Sequence, residues 1–128
     1  MNDTFSQKHR VEELRYVSAE RRLEVAFADG KSFSLPAEYL RVESPSAEVQ
    51  GHGPGPKQIV AGRRHVGIMR IEPVGNYAVR ICFDDLHDTG LYSWDYLREL
   101  GEEQAERWAA YLAAVEEKGL SRDPPRRG

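Results

Sequence analysis

The segment FDDLHDTGLYSWDYLR, residues 83–98, concentrates side chains that can do chemistry. Four of them fall within five positions: Asp84, Asp85, His87 and Asp88. A histidine among carboxylates can bind a metal ion or move a proton near neutral pH, since imidazole titrates near pH ~6.5. Aspartates are also frequent in turns, where they accept hydrogen bonds from their own backbone. The segment is therefore either a metal or acid/base site or a structural turn.

An earlier segment of the chain supplies a control for this choice. LEVAFADGKSFSLPAEYLR, residues 23–41, aligns with residues 79–98 at a separation of 56 positions that becomes 57 after one inserted residue. Both segments read as strand, turn, short strand and helical turn, which indicates a repeated supersecondary unit. Asp29 aligns with Asp85, which favours the turn interpretation for Asp85. At the other three positions of the cluster the first copy has Ala28, Lys31 and Ser32.

His87 is less easily explained as a turn residue, because a loop imidazole can act as a ligand or a proton carrier. One imidazole alone does not hold zinc, which takes about four ligands with nitrogen and sulfur prominent. Ser93 precedes WDYLREL and is a suitable N-cap for a helical turn, and Asp95 suits the dipole of its first turn. We therefore expect Asp84, Asp88 and Ser93 to be structural as well.

A second candidate lies in the glycine-rich stretch GHGPG, residues 51–55. Its backbone N–H groups, with His52, Lys57 and Arg63, can bind an anion. The stretch lacks the strand–loop–helix context and the lysine–serine pair of a nucleotide loop. Tight bends that need glycine are the structural alternative. If this loop binds a ligand, His52 and Arg63 are the residues to mutate first.

Local patterns predict the elements that position these residues. Leu23, Val25 and Phe27 alternate with less apolar neighbours, which is typical of a strand with one buried face. Asp29-Gly30 marks a turn, and Pro36 opens a short helical turn. VGIMRIEPVGNYAVRICF predicts two strands joined by a three-residue loop around Gly75-Asn76, with Met69 and Ile71 on the buried face.

The last predicted element is a helix in GEEQAERWAAYLAAVEEKGL that ends at Gly119 and covers one face of the sheet. Its predicted buried stripe is Ala105, Trp108, Leu112 and Val115. The predicted fold is one α+β domain, with a mostly antiparallel sheet of hairpins, a long Gly/Pro-rich loop over residues 42–65 and this C-terminal helix. We expect a flexible N-terminus over 1–10, the domain over 11–119 and a flexible basic tail over 120–128.

Composition excludes several function classes. The 128 residues fit one domain, and the single cysteine, Cys82, allows neither an internal disulfide nor a thiolate metal cluster within one chain. We expect Cys82 to be a buried packing residue. A net charge of -3 gives no broad attraction for nucleic acid. No stretch approaches the ~18 apolar residues of a membrane span, and the first ten residues lack an apolar signal core, so we expect a cytoplasmic protein.

The strings LEVAFADGKSFSLPAEYLRVESPSAEVQGHGPG and VGIMRIEPVGNYAVRICFDDLHDTGLYSWDYLRELG, in this order, closely resemble the gamma-butyrobetaine hydroxylase N-terminal-like domain family. The resemblance runs from about residue 12 to about residue 118. This family occurs as free-standing bacterial proteins of unknown function, as the leading domain of iron and 2-oxoglutarate dependent hydroxylases, and attached to a chloroplast iron–sulfur cluster carrier. The resemblance implies the fold, and the carrier fusion implies iron–sulfur or redox proteins as partners.

In the hydroxylases this domain binds zinc through a Cys-Pro-Cys-x-x-Cys pattern and one histidine. Laid on this chain, the cysteine positions fall on Ser44, Ser46 and Val49, and the histidine falls on His87. Hydroxyls that stay protonated and an alkyl side chain do not hold zinc, so the resemblance implies the fold without its metal. The oxygenase chemistry is not implied either. The catalytic iron of those enzymes is bound by a histidine followed two residues later by Asp or Glu. None of the four histidines of this chain is followed in this way: His9, His52, His65 and His87.

These observations favour a non-enzymatic binding or accessory module without a cofactor, which acts on a protein partner as a monomer or weak homodimer. A metal- or cluster-binding protein is the alternative. It would use His87 with Asp85 and Asp88, joined by His52 or by Cys82 of a second chain. A third hypothesis is a hydrolytic or proton-transfer enzyme that uses His52 or His87.

Overall fold

The computed structural model describes residues 8–45 and 59–125. Within these ranges the chain is an α+β fold with two three-stranded antiparallel sheets, as the sequence predicts. The first sheet and its helix are β1 (Val11–Val17), β2 (Arg22–Phe27), β3 (Ser32–Pro36) and α1 (Ala37–Val42). The second sheet and the remaining helices are β4 (Ile68–Val74), β5 (Ala78–Phe83), β6 (Leu91–Ser93), α2 (Trp94–Glu102) and α3 (Gln104–Glu117).

Strand β2 confirms the period-two prediction. Leu23, Val25 and Phe27 are all almost completely buried, while the residues between them are half-buried. These side chains meet the inward faces of the second sheet and of α2 in one core. Its largest contributors from those elements are Ile81, Phe83, Tyr92, Leu97 and Leu100.

Strand β1 was not predicted from sequence. Its register shifts between Val11 and Glu13, so Val11 and Leu14 pack against the core although three positions separate them. A bulge of this kind interrupts the period-two pattern, and charged residues on an edge strand hide it further. A short 3-10 turn over Ser18–Glu20 then leads into β2.

The β4–β5 hairpin confirms the three-residue connection. Val74 pairs with Ala78, which leaves three residues between them, and Gly75 adopts a φ of 57°. The inward placement of Met69 was wrong, because this side chain is 53% exposed. The register shifts between Ile68 and Arg70, so Ile68 takes the buried position opposite Phe83.

Helix α3 ends at Glu117, and Gly119, two residues later, adopts a φ of 67°, the left-handed conformation predicted for the cap. Two members of its predicted buried stripe were wrong, since Ala105 is exposed and Leu112 is 38% exposed. The buried side is rotated because Tyr111 and Val115 pack with Val42 of α1, and Trp108 bridges to the main core. Ala105 and Leu112 face an open groove instead.

The topology contains the predicted repeat, because strand–strand–strand–helix occurs twice in succession. Equivalent tyrosines join the two copies. Tyr39 Oη donates to the carbonyl of Leu100 at 2.7 Å, and Tyr96 Oη donates to the carbonyl of Glu43 at 2.5 Å. Burial raises the pKa of Tyr96 to about 12, so both phenols stay protonated donors at neutral pH. The two copies thus hold each other through reciprocal contacts.

The segment after Gly119 is attached to the domain. Gly62 N donates to Ser121 O at 2.8 Å, and Arg64 N donates to Arg122 O at 2.9 Å. Arg122 also donates to the buried carboxylate of Glu38 at 2.7 and 2.8 Å. The boundary at residue 120 stays a prediction, but the residues that follow it directly are tied to the fold. Among the residues the structure describes, no helix has the length and apolar character needed to cross a membrane.

Candidate functional site

The charged segment forms a tight turn between β5 and β6. Phe83 N donates to His87 O at 3.0 Å, and His87 N donates to the Asp85 carboxylate at 3.2 Å. The first copy repeats both bonds, with Phe27 N to Lys31 O at 2.8 Å and Lys31 N to Asp29 at 3.2 Å. Asp85 is therefore the turn residue that the alignment predicts.

One position of the turn differs in strain between the copies. Gly30 adopts a φ of 92° in the first copy, and Leu86 adopts a φ of 72° in the second. A left-handed backbone costs a non-glycine residue about 1–2 kcal/mol. Leu86 is also 79% exposed, so its side chain recovers little of this cost by burial. The second turn keeps the frame of the first in spite of an unfavourable residue.

Asp85 is held by two arginines. Arg41 Nε donates to Asp85 Oδ2 at 2.8 Å, and Arg63 Nε lies 2.7 Å from the same oxygen. The Arg41 side chain is only 8% exposed, so this ion pair lies largely inside the protein. Burial acts to raise the pKa of Asp85, but the hydrogen bond and charge of Arg41 outweigh it and leave the pKa below its ordinary value. Asp85 is thus an ionised partner of Arg41 and not a free ligand.

An equivalent ion pair joins the turn aspartate of the first copy to the helix of the second. Arg98, which aligns with Arg41, donates to both carboxylate oxygens of Asp29 at 2.9 and 3.2 Å. The hydrogen bond from Arg98 lowers the pKa of Asp29. Arg98 also donates to Glu102 at 2.7 Å and lies over the Phe27 ring at 5.1 Å. Each turn aspartate therefore binds the arginine of the other copy's helix.

His87 is buried and lies beside Ser44, which is fully buried. The distance from Ser44 Oγ to His87 Nε2 is 3.0 Å, which is a hydrogen bond. Gly90 permits this contact, since a Cβ at that position would stand 2.5 Å from Ser44 Oγ. The first and last positions implied by the family's zinc pattern are thus brought together, but by a direct hydrogen bond. A hydroxyl already bonded to the imidazole does not make a zinc ligand set.

The other predicted site residues do not converge on His87. Asp84 and Asp88 are exposed, and Cys82 is 2% exposed, as expected for a packing residue, so it is not presented to a second chain. Across residues 8–45 and 59–125, no three His, Cys, Asp or Glu side chains are grouped to hold a metal ion. Four predicted residues lie outside the described part of the chain: Ser46, Val49, His52 and Lys57.

Ser93 and Asp95 lie at the start of α2. Ser93 is the predicted N-cap, accepting from Tyr96 N at 3.1 Å. Asp95 has an additional role that the sequence did not indicate. It accepts from His9 N and contacts His9 Nδ1, both at 3.0 Å. This contact ties the start of the described chain to α2 across 86 residues of sequence.

The feature that sequence reasoning missed is an apolar groove of about 620 Å³ between α1 and α3. It is larger than the cavity of about 210 Å³ beside Arg63, His65 and Asp85. The apolar face of α3 is wider than the core can cover, and this excess was the available signal. The main side chains of the groove are Pro36, Tyr39, Ala105, Trp108, Ala109 and Leu112.

A model described as gamma-butyrobetaine hydroxylase-like, N-terminal, matches residues 14–98. The chain belongs to this family. The matched unit is an N-terminal domain and not an oxygenase catalytic domain.

Three solved structures are similar to this chain over most of their length. One NMR solution structure is 44% identical, with a TM-score of 0.81, and the match covers 100% of this chain and 95% of the other. A second NMR solution structure is 43% identical, with a TM-score of 0.80 and coverage of 93% and 94%. A crystal structure from Acidithiobacillus ferrooxidans, of a DUF971 family protein with unknown function, is 41% identical, with a TM-score of 0.61 and coverage of 72% and 92%. Comparison with curated proteins gives no match.

Proposed function

We propose that this gamma-butyrobetaine hydroxylase-like N-terminal domain is a non-enzymatic accessory module that binds a partner protein at the groove between α1 and α3. The observation that carries the proposal is the groove itself, with its half-buried Trp108 and exposed Leu112. Concave apolar surfaces lined by aromatic and aliphatic side chains are frequent binding sites.

The charged turn supports the non-enzymatic part of the proposal. Its carboxylate Asp85 is bonded to Arg41, and its imidazole His87 is bonded to Ser44. Both groups therefore hold the two copies of the repeat together. A general acid or base needs access to a substrate proton, and a histidine that is 9% exposed offers little.

The groove fits the side chains of a protein better than it fits a polar metabolite. Small-molecule sites usually combine an apolar wall with several convergent polar groups. Here the wall contributes Glu102 and Gln104, and the Tyr39 hydroxyl is already bonded to the carbonyl of Leu100. We place this function in the cytoplasm, with iron–sulfur or redox proteins as the partner class that the family fusion implies.

The test uses a photo-reactive phenylalanine analogue at residue 112, inside the groove, and at residue 113, which is exposed on the same helix outside it. We expect one defined protein to cross-link at 112 and not at 113. After that protein is purified, Leu112→Glu should weaken its binding to the full chain by about tenfold or more, because a buried charge replaces an apolar contact. Ala113→Glu is the matched control and should bind normally.

Two results contradict the proposal. One is a cross-linked partner whose affinity does not change in Leu112→Glu. The other is a partner that depends instead on His87, so that His87→Ala abolishes binding in a protein that is still folded by NMR.

A further inference from the structure

We propose that the groove accepts an amphipathic helix of the partner, with bulky apolar side chains on one face and Lys or Arg along its border. This inference rests on the proposed function and names the chemistry of the partner. It follows from the shape of the groove, from the charges at its ends and from the placement of two glutamates against the dipole of α3.

The shape suits a helix. Ala105, Ala109 and Leu112 follow the spacing i, i+4, i+7 and therefore form one stripe along α3. Trp108 makes a rigid floor, since its ring lies edge-on to Tyr39 at 6.2 Å and stacks on Tyr111 at 5.1 Å. Two alanines in the stripe let a second helix approach closely, and the floor receives its larger side chains.

Carboxylates lie at both ends of the groove. Glu102, which is paired with Arg98, lines one end, and Glu116 continues the stripe at the other, four residues beyond Leu112. Among the described residues, neither Glu106 nor Glu116 makes an ion pair. The single arginine of α3, Arg107, is used elsewhere in the fold. It contacts Glu43, Glu99 and Glu103.

Glu116 and Glu117 are also placed against the stability of their own helix. They occupy the last turn of α3, which contains no basic residue. Carboxylates at a helix C-terminus face the negative end of the dipole and destabilise the helix. These two glutamates therefore reduce the stability of the free protein. A cationic partner would supply the compensating charge and so account for their presence.

A second copy of this chain is a poor occupant. Antiparallel pairing of two α3 helices would bring Glu102 of one copy towards Glu116 of the other. Each copy also carries a net charge of -3. Like charges across an interface oppose association, so the charge pattern selects a basic partner.

The experiment titrates two synthetic helical peptides of ~18 residues into the full-length, ¹⁵N-labelled protein. Both peptides carry the same leucine stripe, and their borders carry lysine in one and glutamate in the other. We expect the lysine peptide to shift the Trp108 indole signal and the amides of Ala105 and Ala109. It should bind at least about tenfold more tightly than the glutamate peptide, with a difference that shrinks at high salt.

A charge reversal separates this inference from a purely structural role of the glutamates. Glu116→Lys should raise the melting temperature, because the lysine complements the helix dipole. It should also lower the affinity for the lysine peptide by about fivefold or more. Glu12→Lys makes the same change of net charge on exposed β1, outside the groove, and should leave binding nearly unchanged.

The possible failures are distinguishable. If the glutamate peptide binds as tightly as the lysine peptide at the groove, the basic partner is wrong while groove docking stands. If the groove signals shift with protein concentration alone, the occupant is a second copy and the inference is wrong. If neither peptide shifts the groove signals, the inference fails, and the cross-linking result then decides separately whether the proposed function survives.

Discussion

Asp85→Asn should lower the free energy of unfolding by about 3 kcal/mol at pH 7, because it removes the carboxylate from a largely buried ion pair. The Arg41 side chain is 8% exposed and donates to Asp85 at 2.8 Å. Asparagine keeps the size of the side chain and an acceptor oxygen, but it leaves the Arg41 charge without its counter-ion. Urea unfolding of the two proteins measures the difference directly.

The same variant should show a characteristic pH dependence. The Asp85 pKa is below its ordinary value in the folded protein, because Arg41 outweighs the effect of burial. A carboxyl with a lowered folded pKa contributes stability above its unfolded pKa, about 3.9, and this contribution is lost as pH falls through the folded pKa. The difference between wild type and Asp85→Asn should therefore be complete at neutral pH and shrink in strong acid.

Asp29→Asn is the matched control from the first copy. The Asp29 side chain is 51% exposed, and Arg98 keeps Glu102 as a second carboxylate partner. We expect a clearly smaller loss of stability than for Asp85→Asn. Equal losses in the two variants, or no loss in Asp85→Asn, would contradict the structural role assigned to the charged turn.

Gly101→Ala should lower the free energy of unfolding by about 2 kcal/mol, since overpacking outweighs the helix propensity that alanine adds. A Cβ on Gly101 would stand 2.5 to 2.8 Å from three atoms of the Phe33 ring. That ring has little room to retreat, because Phe27 lies edge-on at 5.9 Å and the Arg98 guanidinium lies over it at 5.8 Å. Since Gly101 also lines the groove, peptide binding should weaken together with stability.

Gly119→Ala separates the steric effect from a backbone effect. Gly119 has a φ of 67°, but a Cβ there meets nothing within 4 Å. Gly119→Ala should lower the free energy of unfolding by about 1 kcal/mol, from the left-handed backbone alone, and should leave the groove unchanged. Thermal unfolding of both variants checks that Gly101→Ala loses more stability than Gly119→Ala. A Gly101→Ala protein as stable as wild type would show that α2 and β3 are not packed as closely as described.

Local patterns carried much of the fold. The alternation of Leu23, Val25 and Phe27, the N-cap at Ser93 and the left-handed Gly119 each depend on a few adjacent residues, and all three are confirmed. The comparison of the two copies also identified Asp85 as a turn residue, because Asp29 makes the same bond to its own backbone. Sequence periodicity and the alignment of the two copies are sufficient to predict features that depend on neighbouring residues.

Features that depend on distant residues were not predictable in this way. The partner of Asp85 is 44 residues away, and the partner of Asp95 lies in a segment expected to be flexible. A bulge in β1 interrupted the pattern of that strand, which was not predicted, and a bulge in β4 misplaced Met69. The groove exists because Val42 and its neighbours draw a different side of α3 inward than the helical pattern indicates.

We interpret the charged turn as a structural element that holds no metal. Metal analysis of protein purified without a histidine tag, beside His87→Ala and Ser44→Ala, tests it most directly. We predict no stoichiometric metal in any of the three proteins, with reduced stability in the two variants because each removes the buried hydrogen bond between Ser44 and His87. About one metal ion per chain in the native protein, lost in His87→Ala, would contradict the claim.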